Sequence, residues 1–308
     1  MKILVTGGAG FIGSQVADRY LAEGHEVVVV DDLSTGKAKN VNPKARFYHL
    51  DICHPDLENI FINEKPEVVN HHAAQIDVRK SVANPVFDAR VNILGMVNLL
   101  EKSLQYGVKR FIFASSGGAI YGEQPEETPP PDEETPLHPI SPYGVAKAAG
   151  ELYLYYYQTM HGLNYVALRY GNVYGPRQDP FGEAGVVAIF TKKLLAGEQP
   201  VINGDGRQTR DYVFVDDVVE ANVRALNCSI SGAFNIGTGI ETNVNQLFRM
   251  LVEITGKTMA EVHGPPKAGE QKRSVLNCQK ASNLLKWKPK VSLQDGLRQT
   301  VEYFKKEK

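Results

Sequence analysis

Residues 2–13, KILVTGGAGFIG, constrain this chain more than any other stretch. An apolar run passes directly into a loop with glycine at 7, 10 and 13, and a helix-forming sequence follows. Glycine at such places serves a tight turn, close approach of the main chain to a ligand, and contact of the helix with the strand. Further short apolar runs, Glu26–Val30, Arg46–His49, Glu67–Asn70 and Arg110–Ala114, alternate with helical patterns. VVVV and FIFA are apolar on both faces, which suits parallel strands covered on both sides. The expected fold is therefore α/β, a Rossmann-type doubly wound parallel sheet.

Residues 123–139, EQPEETPPPDEETPLHP, hold six prolines and no apolar periodicity, and read as a surface loop. After residue 170 the alternation weakens, and Gly, Pro and polar residues gather. AFNIGTG, residues 233–239, reads as one more buried strand returning to the main sheet. The division expected is a dinucleotide-binding domain over 1–170, with returning segments near 212–237, and a smaller, discontinuous C-terminal substrate domain over 171–308.

With 308 residues, 43% of them hydrophobic and 22% charged, the chain has the composition of a globular protein. A net charge of -1 leaves no basic footprint for nucleic acid or an anionic membrane surface. Cys53, Cys228 and Cys278 are scattered and form no C-x-x-C pair. The N-terminus enters a strand at once, without the regions of a signal peptide, and no apolar stretch is long enough to span a bilayer. A cytoplasmic location is expected. Adjacent strand residues point to opposite faces, so His71-His72 reads as a polar strand end and no metal site is expected.

The glycine loop opens a helix whose first N–H groups face outward, the arrangement that receives a pyrophosphate. Asp31 ends the second strand about 20 residues further on, where a carboxylate meets the adenosine ribose hydroxyls and repels a 2′-phosphate. NAD is thus the expected cofactor. Asp51 with Ile52 stands where the adenine would lie, or is a turn only. In SPYGVAKAAG, residues 141–150, Pro142 starts a helix expected to reach about Met160. Tyr143 and Lys147 share one face, i and i+4. A nearby cation favours the phenolate, which makes Tyr143 a candidate base; a surface helix could also carry such a pair by chance.

Taken together, the glycine loop, YGVAK (143–147) and FASSGGAIYG (113–122) resemble the extended short-chain dehydrogenase/reductase family. LRYGNVYGPRQ (168–178), RDYVFVDDV (210–218) and HHAAQ (71–75) narrow the resemblance to the nucleotide-sugar 4-epimerases, and LLKWKPKVSLQDGL (284–297) fits the same pattern. The resemblance implies NAD-dependent 4-epimerisation of a UDP-hexose through a transient 4-keto sugar that turns over in the site. UDP-N-acetylglucosamine or UDP-glucuronate are alternative substrates, and a non-catalytic NAD-sensing protein is the reading from another class. The intact Tyr143–Lys147 pair speaks against the last. The absence of an acidic residue soon after Ser116 speaks against a dehydratase.

By the same resemblance, Tyr143 is the base, Lys147 holds the nicotinamide ribose and lowers the phenol's pKa, and a serine ending the fifth strand binds the sugar hydroxyl. That serine is Ser116, with Ser115 as the rival, because the stretch is one residue longer than usual. The resemblance places NAD against Gly7, Gly10, Phe11, Ile12 and Gly13. It adds Asp31, Asp32, Leu33, Ser34 and Gly36, then Asp51 and Ile52, then His72, Ala73, Ala74 and Gln75. Asn92, Ser115 and Tyr170 complete that set, Asn92 by fixing the lysine. It places the UDP-sugar against Gly117, Asn172, Val186, Val187 and Arg210.

In KAGE, Lys267 stands where the family has arginine and Glu270 where it has an acid, with Arg273 as a compensating charge. Seven residues beyond Lys267 comes Ser274, where members that reject an N-acetyl group carry tyrosine. A homodimer is expected, paired through residues 92–104 and the Tyr143–Met160 helix.

Overall fold

The computed structural model describes residues 1–180, 185–267 and 269–307. The stretch 181–184, the end of the Gly- and Pro-rich segment singled out above, lies outside them. In chain order the strands are β1 (Lys2–Thr6), β2 (Glu26–Asp31), β3 (Arg46–His49), β4 (Val68–His71), β5 (Arg110–Ser116), β6 (Asn164–Tyr170) and β7 (Asn172–Tyr174). They continue as β8 (Ile202–Asn203), β9 (Thr209–Phe214), β10 (Gly232–Ile236), β11 (Glu241–Asn243), β12 (His263–Gly264) and β13 (Arg273–Ser274). A seven-stranded sheet runs β10-β6-β5-β4-β1-β2-β3, and every pairing in it is parallel. Strand order reverses between β1 and β4, and ligands of such sheets lie at that switch point, beyond the carboxyl ends of the strands.

The apolar runs that announce the strands are explained by their two faces. Val27 and Val29 of β2 enter one core and Val28 and Val30 the other; Ile112 and Phe113 of β5 divide in the same way. A strand buried on both sides has no polar alternation to keep. Full burial of one such side chain is worth about 1.5–3 kcal/mol.

The helix Pro142–His161 begins where Ser141 Oγ accepts the Gly144 N–H at 3.1 Å, with proline at its first position. It ends at Gly162, whose φ of 74° is the left-handed cap that glycine adopts without strain. In mid-helix, Gly150 lets it lie against Met96 and Phe113, since a Cβ there would stand 2.8 Å from Met96 Sδ.

Beyond β6 the chain builds a smaller layer, β11-β9-β13 with β7 also on β9, and a β8–β12 pair, before β10 returns to the main sheet beside β6. Residues 123–139 contain no helix or strand, as expected, but they are not a free surface loop. Gln124 is buried and accepts the Val275 N–H, and Glu133 accepts the Asn235 N–H at 2.6 Å. The loop's own side chains tie it to main-chain N–H groups far off in sequence, on β10 and just beyond β13.

Candidate active site

A single cleft of about 1480 Å³ runs along the carboxyl ends of the main strands and under the smaller layer. Of the residues expected at cofactor or substrate, all but Leu33, Asn92, Gly117 and Ser274 line it.

At one end is the glycine loop. Gly7 has φ of 66°, and its carbonyl accepts the Gly10 N–H. A Cβ on Gly13 would stand 2.3 Å from that carbonyl oxygen, so the first turn of the helix Phe11–Ala22 can close on the loop only with glycine there. Asp31 Oδ2 accepts the Ala9 N–H at 2.9 Å and Oδ1 the Leu33 N–H at 2.8 Å. Burial pushes the Asp31 carboxyl up, while those two N–H groups favour the charged form. Each oxygen keeps acceptor capacity for a ribose hydroxyl. The bare loop and this carboxylate fit the adenosine and pyrophosphate of NAD. Leu33, expected to touch the cofactor, instead shapes the turn: it has φ of 56° and gives its N–H to Asp31.

At the centre stand the tyrosine, lysine and serines. The helix holding Tyr143 and Lys147 packs beside β5, and Tyr143 donates its main-chain N–H to Ser81 Oγ. Lys147 is buried; its Nζ donates to the Ala114 carbonyl at 2.8 Å and lies 5.6 Å from the Tyr143 ring centroid. Burial lowers the Lys147 pKa to about 8, against the upward pull of Asp88 and Glu151. The two serines differ. Ser115 Oγ donates to Glu151 Oε1 at 2.6 Å, whereas Ser116, on the cleft wall, makes no side-chain hydrogen bond among the described residues.

Asn92 is not a surface residue. It is buried within a π turn, Arg90–Leu94, with Oδ1 accepting the Gln75 N–H and Nδ2 donating to Gln75 O, each at 2.9 Å. It therefore backs the cleft wall without reaching the cleft. π turns of this kind concentrate at functional sites.

At the far end lie Asn172, Val186, Val187, Arg210, Lys267 and Glu270. Arg210 donates to the Thr209 carbonyl and approaches Glu270 at 3.9 Å. Gly117 is set off the cleft, where a Cβ would stand 2.7 Å from Leu276 Cδ1; its neighbour Gly118 lines the wall instead. The position of a Cβ on Gly118 is 3.7 Å from Ser274 Oγ, 3.8 Å from Asn172 Oδ1 and 4.0 Å from Ser116 Oγ, so three polar atoms ring the bare glycine. Ser274 itself is buried behind that glycine with no partner for its hydroxyl among the described residues. Arg273 is not a spare charge for a phosphate: it is held by Glu241, at 2.8 Å, and by the Pro125 and Thr128 carbonyls.

Sequence reasoning missed Tyr212 and Gln178, which also line the cleft. Tyr212 had a signal, since it follows Arg210 by two on β9 and so shares its face. Gln178 had none beyond its place in GPRQ.

A glycine-loop Rossmann sheet whose cleft also contains an i, i+4 Tyr–Lys pair defines a nicotinamide-dinucleotide enzyme acting on a secondary alcohol. The chain belongs to the NAD dependent epimerase/dehydratase family, whose model matches residues 3–237. It is 47% identical over 311 residues to the UDP-glucose 4-epimerase of Mycolicibacterium smegmatis, spanning 99% of both chains. A crystal structure of UDP-glucose 4-epimerase with UDP-glucose from Thermotoga maritima superposes with a TM-score of 0.98 at 54% identity, covering 100% of this chain and 99% of that one. The UDP-glucose 4-epimerase of Thermus thermophilus in complex with NAD gives 0.94 at 47% identity, covering 99% of each.

Proposed function

We propose that this chain interconverts UDP-glucose and UDP-galactose by NAD-dependent epimerisation at C4. The observation that carries the reading is the meeting, in one cleft, of the glycine loop with Asp31, the Tyr143–Lys147 pair, and Arg210 with Asn172 at the other end. The Gly7–Gly13 loop, Asp31 and Lys147 would hold NAD, which when bound takes a hydride from C4 and returns it to the opposite face.

The chain's own groups handle the proton and the sugar. Tyr143 takes the C4 hydroxyl proton and gives it back, and the Lys147 ammonium favours the phenolate that this needs. Ser116, whose hydroxyl is uncommitted where that of Ser115 is bound to Glu151, aligns the same sugar hydroxyl. Arg210 and Asn172 anchor the UDP phosphates, with Lys267 as a point charge and Glu270 at the ribose. We assign this nucleotide half to residues 171–308. The absence of a side chain at Gly118 leaves room for a keto-hexose to turn. The test is to incubate the purified protein with UDP-glucose, UDP-N-acetylglucosamine and UDP-glucuronate and resolve the C4 epimers; no epimer from any of them would refute the reading.

Breadth of substrate follows from Ser274. The Ser274 hydroxyl stands 3.7 Å from where a Cβ on Gly118 would lie, so a tyrosine there would reach past that glycine into the cleft, and with serine in place UDP-N-acetylglucosamine is expected to turn over beside UDP-glucose. Ser274→Tyr should abolish kcat/KM for the acetamido substrate and spare the plain hexose. An acetamido substrate inert in both proteins would contradict this.

The assembly proposed is a homodimer. Val145, Leu152, Tyr155 and Tyr156 make an exposed stripe on the Pro142–His161 helix, with exposed Leu94 and Leu104 at the ends of the neighbouring segment. An exposed apolar stripe along a helix is the kind of surface that a second copy would cover. Sedimentation at micromolar concentration should give the dimer mass, and a monomer there would rule the pairing out. Among the described residues no helix is long and apolar enough to cross a membrane; we propose a cytoplasmic enzyme.

A further inference from the structure

Behind the cleft wall is a buried carboxylate that none of the chemistry above uses. Asp88, in the helix Pro85–Ala89, is 1% exposed. Its Oδ1 accepts from Gln75 Nε2 and Asn92 Nδ2, both at 2.9 Å. Its Oδ2 is equally buried and has no partner among the described residues. Both side-chain bonds come from neutral amides, and among the described residues no cation forms a salt bridge with the carboxylate. Burying an anion in that way is unfavourable unless a positive charge acts on it. The buried cation across the wall is Lys147, which has three N–H donors and gives one to Ala114. The helix that carries Asp88 and the π turn that carries Asn92 both pack against the helix that carries Lys147.

We propose that Asp88 is a positioning residue: held by Gln75 and Asn92, it is the counter-ion that keeps the Lys147 ammonium charged and directed to the tyrosine and the nicotinamide ribose. The other groups around Lys147 do not fill that role. On its own helix, Tyr143 is the group to be activated, and Glu151 is bound by Arg169 through both oxygens and by Ser115. At the end of β4 and just beyond it, His71 and His72 are neutral: burial lowers His71 well below its ordinary pKa and takes His72 to about 3. From β5 come the Phe113 ring and the Ala114 carbonyl.

Burial already brings Lys147 down to about 8, and Asp88 is the larger of the two opposing influences. Removing the Asp88 charge lowers that pKa further. The ammonium, and the turnover that depends on it, is then lost at a lower pH.

The experiment is kcat against pH for UDP-glucose in the NAD-loaded wild type, Asp88→Asn, Asp88→Ser and Asp88→Glu. Both neutral variants should move the descending limb down by about one pH unit, which is about a tenfold loss of kcat on that limb. KM should stay within about twofold, and Asp88→Glu should restore the limb. Thermal melting and NAD content report the folded holoenzyme; if Asp88→Asn does not fold, Asp88→Ser, which leaves space for water, is read in its place. An unshifted limb in either folded neutral variant, or a loss equal at every pH, would overturn the role of Asp88. The inference rests on the epimerase reading, and failure of that reading is told apart by a wild type that produces no C4 epimer.

Discussion

Replacing Tyr143 by phenylalanine is expected to lower kcat for the UDP-glucose/UDP-galactose interconversion by about 10²–10⁴-fold, the usual share of a positioned proton acceptor. The ring stays, so the packing of the helix start, fixed by the Ser141 cap and the Tyr143 N–H bond to Ser81, is preserved. NAD content and UDP affinity should therefore match the wild type, since a group acting only in the chemical step changes kcat and leaves ground-state binding alone. Steady-state kinetics with a coupled C4-epimer assay and a titration with UDP separate the two. Turnover within tenfold of the wild type would remove Tyr143 from the role of base.

Arg169→Met is expected to destabilise the fold by about 3–5 kcal/mol, because it strands a buried carboxylate. Arg169 and Glu151 are both buried and bonded through both carboxylate oxygens, with Nη2 to Oε2 at 2.7 Å. Burial disfavours the guanidinium charge, and Glu151 outweighs it, so the arginine pKa rises. The pair also organises its surroundings. Arg169 Nη1 donates to the Tyr121 hydroxyl at 2.6 Å, Tyr121 donates to Asn235, and Glu151 receives Ser115 beside the candidate Ser116. A second change, Glu151→Leu, removes the stranded charge and should recover much of the loss. Urea midpoints at fixed protein and NAD concentration check both statements. A single-variant loss under about 1 kcal/mol would show the pair to be dispensable.

The arrangement of the main sheet was legible because parallel strands buried on both sides leave continuous apolar runs. β1, β2 and β5 carry them plainly, and AFNIGTG takes in the returning β10 except its first residue, Gly232. β6 was not read as a strand, since NYVALRY places Arg169 in the middle of the sheet and its neutralising Glu151 lies on another element. Asp88 was invisible for the same reason: an acid on a short helix reads as a solvated face until Gln75 and Asn92 are seen around it. Arg273 looked like a free charge because its partner Glu241 is distant in sequence. The slip from Gly118 to Gly117 came from the extra residue in SSGGAIYG, where spacing alone cannot say which glycine faces the cleft. The tyrosine, lysine and glycine loop were readable because the chemistry needs them at short spacings within one helix or one turn.

In the proposed reaction C4 is oxidised and reduced again inside one site, without exchange with solvent. UDP-glucose labelled with deuterium at C4, incubated with the NAD-loaded protein in ordinary water and resolved as its epimers, tests this directly. The expected product is UDP-galactose that retains the label at C4. Unlabelled UDP-galactose, or no galactose epimer at all, would contradict it.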